Sequence, residues 1–223
     1  MELSYYKLNP KQIVQDIFQK KSHKIIIYNK QFFIFPHVYP SDKFRSSRFI
    51  LENLDSFVKN ARVCDMGCGM GVVGQFALMK GAKRVVQADI NLFAVRNAKA
   101  NRTLHKFSRR ELKIYESDCF DRIPKQIFDI IIFNIPFHSE PHEIKDPLER
   151  AFHDPGFETL KKFLNQATGY VHEGTRILIA FSNKGDVKAL EDVFNHSAFN
   201  WDLWRATHTD EAYDSRIYQL TIA

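Results

Sequence analysis

Residues 62–74 read RVCDMGCGMGVVG, an apolar strand pattern that runs into a turn rich in glycine. The helix pattern that follows, GVVGQFALMKG, covers residues 71–81 and ends at a glycine, which commonly closes a helix. Within the turn, Gly69, Gly71 and Gly74 have the G-x-G-x-x-G spacing that lets a backbone come close to a nucleotide. Strand, glycine turn and helix in this order are typical of the first unit of a doubly wound α/β domain.

On the carboxyl side of this turn, strand and helix patterns alternate almost to the end of the chain. Such alternation predicts a parallel sheet that is covered by helices on both faces. The last two strands follow each other without a helix, so we expect them to form an antiparallel pair. We therefore predict a Rossmann-like, seven-stranded, mostly parallel α/β sheet with helices on both faces. The predicted strands cover residues 62–67, 83–90, 112–117, 127–134, 175–182, 200–207 and 215–223, and the predicted helices 71–81, 91–105, 156–171 and 185–196.

On the amino side of the turn, the patterns are less regular. A helical pattern begins at Pro10, and two apolar runs within residues 24–35, separated by Asn29-Lys30, predict a β-hairpin. A loop with two prolines and a helical pattern over residues 46–58 follow. We expect an N-terminal extension, residues 1–58, that lies over the ligand-binding edge of the sheet, and an α/β domain of residues 59–223.

Length and composition fit an ordinary folded domain, because 44% of the 223 residues are hydrophobic and 26% are charged. No apolar run reaches the roughly 18 residues of a membrane span, and the first residues lack the apolar core of a signal peptide. We therefore expect a cytoplasmic protein with no membrane partner. Cys64, Cys68 and Cys119 form no paired framework, and no second Cys/His pair completes a metal motif around the first two. We expect no metal site.

The formal charge of +6 is unevenly distributed. Residues 96–113 contain seven lysines and arginines and one acid, Glu111. A stretch of this kind can form a surface that faces a nucleic acid. It can equally be the solvated face of a helix and the loop after it. The sequence leaves both interpretations open.

Two carboxylates determine which nucleotide the glycine turn can bind. Asp89 ends the next strand, 20 residues after Gly69, which is the spacing of an acid that binds ribose hydroxyls. An NAD-dependent oxidoreductase is therefore one interpretation. Asp65, however, stands at the strand end just before the glycines, where it would repel a pyrophosphate. S-Adenosylmethionine carries no phosphate but a sulfonium and an ammonium, both of which a carboxylate attracts.

A second unusual strand end lies at residues 129–140, DIIIFNIPFHSE. If the ligand is S-adenosylmethionine, its methyl group can be transferred to a planar NH2 group. The lone pair of that nitrogen is delocalised, so the site must hold the nitrogen with the lone pair directed at the methyl carbon. The side-chain oxygen of Asn134 and the backbone carbonyl of Ile135 can accept its two hydrogens, and these bonds strengthen as the nitrogen becomes positive. Pro136 would fix the turn, and Phe137 would offer a face to a flat amide or base. The alternative is an ordinary turn that buries Phe137.

The glycine turn and the acidic strand end after it resemble motif I and the following strand of class I S-adenosylmethionine-dependent methyltransferases. Together with the segment that begins at Asn134, they most resemble the small methyltransferase group, which contains HemK/PrmC-like glutamine methyltransferases and several RNA base N-methyltransferases. The resemblance covers residues 42–185. The motif of the group is (Asn/Asp)-Pro-Pro-(Tyr/Phe), and this chain has Ile135 in place of the first proline. That variant resembles the ribosomal RNA adenine dimethyltransferases.

The resemblance implies an enzyme, an N-methyltransferase that uses S-adenosylmethionine and acts on a planar NH2 group. The implied acceptor is a glutamine side chain of a translation factor or ribosomal protein, or alternatively an exocyclic amine of adenine or guanine in RNA. A small-molecule acceptor, an NAD-dependent oxidoreductase and a non-catalytic cofactor-binding protein remain as further alternatives. The residues implied as catalytic are Asn134, Ile135, Pro136 and Phe137, and those implied to bind the cofactor are Asp65, Gly67, Cys68, Gly69, Gly71, Asp89, Ile90, Asp118, Cys119 and Asn134.

The resemblance also implies separate roles for the acids of this set. Asp65 would flank the methionine part of the cofactor, Asp89 would bind the ribose hydroxyls, and Asp118 would accept from the adenine amino group. The resemblance further implies that the loop before the core closes over the cofactor, with Tyr39, Asp42 and Phe44 as candidates for that contact.

The loop after Phe137 is expected to line the substrate channel. Its ionisable residues match no metal-binding template, and the sequence assigns them no role; they are His138, Glu140, His142, Glu143 and His153.

Overall fold

A computed structural model of the chain describes residues 21–41, 45–54, 57–207 and 214–223. The helical pattern after Pro10 and the loop candidates Asp42 and Phe44 lie outside these residues. The described strands are β1 (His23–Ile27), β2 (Lys30–Ile34), β3 (Arg62–Met66), β4 (Arg84–Asp89), β5 (Leu112–Glu116), β6 (Ile130–Asn134), β7 (Arg176–Ser182), β8 (Phe199–Ala206) and β9 (Ser215–Ile222). The α-helices are α1 (Arg45–Glu52), α2 (Val72–Met79), α3 (Leu92–Leu104), α4 (Glu158–Ala167) and α5 (Val187–Asn195), and two short 3₁₀ helices cover Pro147–Ala151 and Pro155–Phe157.

The main sheet has seven strands in the order β5-β4-β3-β6-β7-β9-β8. The strands from β5 to β7 are parallel, and β9 runs antiparallel to both of its neighbours, β7 and β8. This confirms the predicted Rossmann-like fold and the antiparallel terminal pair. The order of the strands reverses between β3 and β6, and the carboxyl ends of these strands meet at one edge of the sheet. Ligands of doubly wound sheets bind at this kind of switch point.

The apolar side chains of the sheet form two separate core layers. Alternate residues of β6 illustrate this arrangement, because Ile130 and Ile132 pack on one face while Ile131 and Phe133 pack on the other. Helices α1, α2 and α3 cover the first face, and α4 and α5 cover the second. A strand covered on both faces needs an uninterrupted apolar run, which explains the sequence IIIF.

The predicted N-terminal hairpin is present, but its turn was predicted one residue too late. Ile27 pairs with Lys30, so the two turn residues are Tyr28 and Asn29 rather than Asn29 and Lys30. Both have positive φ angles, 44° and 60°. Two-residue hairpins require this conformation, and asparagine adopts it readily.

Two asparagines of α3 attach this hairpin to the α/β domain. Asn101 Oδ1 accepts from the backbone N–H of Phe33 at 2.7 Å, and Asn97 Oδ1 accepts from that of Phe35 at 2.8 Å. Both side chains also donate to the carbonyl of Phe33. Phe32 belongs to the same core layer as α2 and α3. The extension therefore shares a core with the domain, and the division at residue 58 stays a prediction.

The helix predicted over residues 46–58 is too long, because α1 ends at Glu52. The N–H of Asn53 bonds to the carbonyl of Ile50, and its side chain donates to the carbonyl of Phe49. Asparagine side chains compete in this way with continued helix hydrogen bonding. Leu54 and Val58, both described residues beyond the helix end, are nevertheless buried and contribute to the core.

Candidate active site

A cleft of about 130 Å³ opens at the carboxyl edge of the sheet, above β3, β4 and β6. Its floor contains the glycine turn and the ends of these strands. Its outer wall comes from the N-terminal extension and from the segment after β6. The lining residues that the following paragraphs use are Tyr39, Ser46, Asp65, Gly67, Cys68, Gly69, Asp89, Ile90, Asp118, Cys119, Asn134, Ile135, Pro136 and Phe137.

The glycines of the turn have distinct structural roles. Gly67, Gly69 and Gly71 all have positive φ angles, at 61°, 55° and 87°. A Cβ atom on Gly67 would lie 2.8 Å from the ring of Phe133, so close packing alone requires glycine there. A Cβ on Gly69 would meet nothing within 4 Å. Gly69 therefore presents bare backbone to the cleft, as a site for close approach of a ligand requires.

Asp65 is a buried carboxylate that fixes the start of α2. Its Oδ2 accepts from the N–H of Gly74 at 2.9 Å and from Nε2 of Gln87 at 2.7 Å. Burial raises the pKa of Asp65 to about 7, although these two hydrogen bonds oppose the shift. Gln87, which also donates to the carbonyl of Gly71, was not among the predicted site residues. The signal for it was a polar residue in the middle of a buried strand.

Asp89 lies at the end of β4 and contacts the same turn. Its Oδ2 accepts from the N–H of Gly69 at 2.9 Å, and its Oδ1 accepts from that of Asn91 at 2.8 Å. Burial raises the pKa of Asp89 to about 6. Within the described part of the chain, no lysine or arginine forms an ion pair with Asp65 or Asp89. The floor of the cleft therefore favours a cationic ligand.

The remaining predicted cofactor residues flank this floor. Cys68 is buried and bonds through its N–H to the carbonyl of Ala88, whereas Ile90 has a side chain that is 41% exposed. An exposed apolar side chain next to Asp89 offers a surface on which a flat ring can pack.

Asp118 and Cys119 follow β5 at the far side of the cleft. Asp118 Oδ2 lies 2.7 Å from Nζ of Lys162 on α4, and the same ammonium lies 2.7 Å from Asp121. These two carboxylates raise the pKa of Lys162. Cys119 has a positive φ angle of 49°. Its burial raises the pKa of its thiol to about 12. Lys162 was not predicted, because its partners are about 40 residues away in sequence.

Asn134 is the last residue of β6, and its position is fixed by the neighbouring strand. It pairs with Ala180 of β7, and the N–H of Ile135 donates to the carbonyl of Ala180 at 3.2 Å. The side-chain Nδ2 of Asn134 donates to Oγ of Ser46 at 3.2 Å. Ile135 and Pro136 are buried, whereas the ring of Phe137 is half-buried at the cleft. An ordinary turn that buries Phe137 does not describe this arrangement.

Three histidines continue the row of rings that begins at Phe137. The centroid of Phe137 lies 4.7 Å from that of His138, and the His138 and His153 centroids are 5.1 Å apart. The rings of His153 and His142 stack at 3.9 Å. Burial and the neighbouring imidazoles lower the pKa of His153. Among the described residues, no group of His, Cys, Asp or Glu is arranged to hold a metal ion.

The N-terminal extension reaches the cleft through its loop and helix α1. Tyr39 and Ser46 line the cleft. The ring of Tyr39 lies 5.5 Å from that of Phe152, and Asn91 Nδ2 donates to the carbonyl of His37 at 2.7 Å. The loop is therefore tied to the residue that caps α3, two positions after Asp89.

The basic stretch at residues 96–113 lies elsewhere. None of its seven basic residues is among those that line the cleft. Helix α3 begins at the carboxyl edge and extends about 20 Å toward the opposite edge. The residues that follow it, including Arg109 and Arg110, precede β5 and so lie at the amino edge of the sheet.

No helix in the described part of the chain is both long enough and apolar enough to span a membrane.

Comparison with known proteins identifies the family to which the chain belongs. The family model described as "Methyltransferase small domain" matches residues 29–200. A protein of Methanocaldococcus jannaschii, provisionally named a protein N5-glutamine methyltransferase, is 34% identical over 152 residues, which are 66% of this chain and 74% of that protein. The ribosomal RNA small subunit methyltransferase C of Haemophilus influenzae is 28% identical over 134 residues, which are 60% of this chain but 36% of that protein.

A solved structure shows the same fold. It is the 16S rRNA N2 G1207 methyltransferase of T. thermophilus in complex with AdoMet and guanosine, with a TM-score of 0.66 and 18% identity. The superposition covers 91% of this chain and 50% of that one, so this chain spans about half of that protein. The resemblance predicted from the glycine turn is confirmed. The chain belongs to the small methyltransferase domain family and is an S-adenosylmethionine-dependent methyltransferase.

Proposed function

We propose that the chain is an N-methyltransferase that transfers a methyl group to the NH2 of a glutamine side chain in a protein. The observation that carries this proposal is the position of Asn134. Its amide lies at the cleft beside the glycine turn, and its nitrogen is engaged with Ser46, which leaves the oxygen as the acceptor. An acceptor at this point is what a planar NH2 group requires.

The cleft fits S-adenosylmethionine better than a dinucleotide. Asp65 and Asp89 form a floor that attracts the sulfonium and ammonium and repels a pyrophosphate. Gly69 provides the bare backbone that close approach needs. In the proposed arrangement Asp65 and the glycine turn flank the methionine part, Asp89 binds the ribose hydroxyls, and Asp118 accepts from the adenine amino group. Ile90, Cys68 and Cys119 complete the surface around these groups.

S-Adenosylmethionine supplies an electrophilic methyl group on a sulfonium. The chain itself holds the acceptor: Asn134 Oδ1 and the carbonyl of Ile135 each accept one hydrogen bond from its NH2 group, and Phe137 packs against the flat amide. A new N–C bond forms as the S–C bond breaks, and the nitrogen releases one proton to solvent. Because positive charge develops on the nitrogen, both hydrogen bonds favour the transition state. Positioning of this kind supplies much of the rate.

Two observations favour a protein glutamine as the acceptor. The M. jannaschii relative, whose name specifies N5-glutamine methylation, shares 34% of its residues over most of its length. The basic residues 96–113, which would suit a nucleic acid, are not among the residues that line the cleft. Translation factors and ribosomal proteins are the proposed protein partners.

An RNA base amine is the second candidate. The row of rings from Phe137 through His138 to His153 extends the flat surface beside Asn134, and a base could stack along it. The relative from H. influenzae is named for ribosomal RNA.

The test is transfer of labelled methyl from S-adenosylmethionine into a lysate that lacks this protein. The lysate is then divided between ribonuclease and protease, and the protein fraction is hydrolysed in acid. A methylated glutamine amide releases labelled methylamine on hydrolysis, so label that is protease-sensitive and recovered as methylamine supports the proposal. Label that only ribonuclease removes would show that the methyl acceptor is an RNA base and not a protein glutamine. Label in neither macromolecule would overturn both candidates.

A further inference from the structure

A residue of the N-terminal extension contacts the Asn134 amide. Nδ2 of Asn134 donates to Oγ of Ser46 at 3.2 Å, and the two residues are 88 positions apart in sequence. Ser46 lies in the first turn of α1, and both side chains line the cleft. We propose that Ser46 is a positioning residue, which holds the plane of the Asn134 amide while the amide oxygen binds the methyl acceptor. This inference rests on the function proposed above.

The chemistry of a primary amide explains why it needs such a partner. Its oxygen accepts hydrogen bonds and its NH2 donates them, yet the two ends have nearly the same shape. A half-turn about the last side-chain bond of Asn134 would exchange them. The rotated amide would present hydrogens to the hydrogens of the acceptor NH2 and could not bind it. A serine hydroxyl donates as well as accepts, so Ser46 does not by itself select one end of the amide. Once the acceptor NH2 donates to Oδ1, Oγ of Ser46 accepts from Nδ2, and the two hydrogen bonds together fix the plane of the amide.

The position of Ser46 is itself fixed by the core. On the same short helix, Ile50 and Leu51 are each 2% exposed and belong to the core layer that contains Val72 and Val73 of α2. Helix α1 is therefore packed against the helix that the glycine turn begins. Because the core holds helix α1 in place, the hydroxyl of Ser46 stays fixed when the Asn134 side chain moves. The hydroxyl can therefore restrain that side chain.

The sharpest test compares Ser46→Thr with Ser46→Val, two side chains of the same shape that differ in the hydroxyl. We expect Ser46→Thr to retain activity. Ser46→Val should lower kcat by about 10- to 100-fold, as is typical when a group that orients a reacting residue is lost. The affinity for S-adenosylmethionine, measured by calorimetry, should stay unchanged, because Ser46 holds the acceptor side of the cleft. Equal kcat values for the two variants would overturn the proposal.

A second arm separates positioning from support of the fold. In an Asn134→Ala background there is no amide for Ser46 to hold, so Ser46→Val should leave the residual rate unchanged. A further loss of the same size in that background would show that Ser46 only supports the fold.

Failure of the proposed function has a different signature. In that case Asn134→Ala would transfer methyl groups as fast as the unaltered chain, or the unaltered chain would not methylate glutamine. A failure of the Ser46 proposal alone leaves Asn134 essential and Ser46 dispensable.

Discussion

At the scale of single residues, two acids stand out in the cleft, the buried Asp65 and the partly buried Asp89. Neither forms an ion pair with a lysine or arginine among the described residues. Burial raises the pKa of Asp65 to about 7 and that of Asp89 to about 6. Without a ligand, these carboxyls therefore hold protons at a pH where exposed acids are ionised. A cation placed beside them favours the ionised form and lowers their pKa. Binding of a cationic cofactor must then release protons.

This coupling predicts how cofactor affinity changes with pH. Between pH 5 and 7 the affinity for S-adenosylmethionine should increase, by up to about tenfold per pH unit for each carboxyl that titrates. Above about pH 8 both acids are already ionised, so the increase should level off. Calorimetry in two buffers of different ionisation enthalpy would measure the released protons directly.

S-Adenosylhomocysteine is the control ligand, because it lacks the sulfonium charge and should show a shallower pH dependence. An affinity for S-adenosylmethionine that is constant from pH 5 to 7 would contradict the electrostatic account of Asp65 and Asp89.

Whether a site residue can be predicted depends on where its partners lie in the sequence. Asp65, Asp89 and Asn134 end strands of a parallel sheet, and those ends meet at one edge, so the pattern alone placed them together. Ser46 and Lys162 could not be found in this way. Their partners lie 88 and about 40 positions away, and no local pattern records contacts over such distances.

At the scale of elements, the most informative contact joins β2 to α3. Asn101 is fully buried and makes three hydrogen bonds, two with the backbone of Phe33 and one to the carbonyl of Met70 in the glycine turn. It thus connects the N-terminal extension to the cofactor turn. A single side chain satisfies backbone groups that would otherwise be buried without partners.

Replacement of Asn101 by alanine should therefore be costly. We expect Asn101→Ala to lower the free energy of unfolding by about 2 to 3 kcal/mol, since buried backbone groups lose their partners. The affinity for S-adenosylmethionine should also fall, because the turn loses a support. Urea denaturation and calorimetry measure the two effects.

The exposed Asn165 of α4 supplies the matched control, and Asn165→Ala should change neither quantity. If Asn101→Ala unfolded at the same urea concentration as the unaltered chain, the contact between hairpin and domain would not contribute to the free energy of unfolding.

The order of the elements could be read from the sequence, but some of their ends could not. The alternation of strand and helix patterns, with two strand patterns in succession at the end, identified every strand of the main sheet. The hairpin turn at Tyr28-Asn29 and the end of α1 at Glu52 were missed. Both depend on which residue pairs or bonds across the turn, and apolar runs of similar length fit several registers.

At the scale of the whole molecule, the basic residues within 96–113 are not among those that line the proposed catalytic cleft. Among the described residues, none of the seven basic residues within 96–113 forms an ion pair. Burial and the charge of Arg109 lower the pKa of Arg102, as expected where cations lie close together. The proposed glutamine acceptor does not need this surface, whereas an RNA acceptor would.

Charge reversal separates these two outcomes. With a protein glutamine as the acceptor, Lys106→Glu combined with Arg110→Glu should leave kcat/KM for methyl transfer unchanged at physiological salt. The control is Lys161→Glu combined with Lys188→Glu, which makes the same change of charge on α4 and α5. A loss of activity in the first pair that the control pair does not show, and that high salt reproduces in the unaltered chain, would favour an RNA acceptor.

In the proposed mechanism, Asn134 binds and activates a planar NH2 group, and its role is not limited to contact with the cofactor. The most direct test measures two quantities on Asn134→Ala: the rate of methyl transfer to glutamine and the calorimetric affinity for S-adenosylmethionine. Asn200→Ala on β8 is the matched control. We predict that Asn134→Ala lowers kcat by about 100- to 1,000-fold, as for the loss of one group that stabilises transition-state charge, while the cofactor still binds. A variant that binds the cofactor and transfers methyl groups at the unaltered rate would contradict the account.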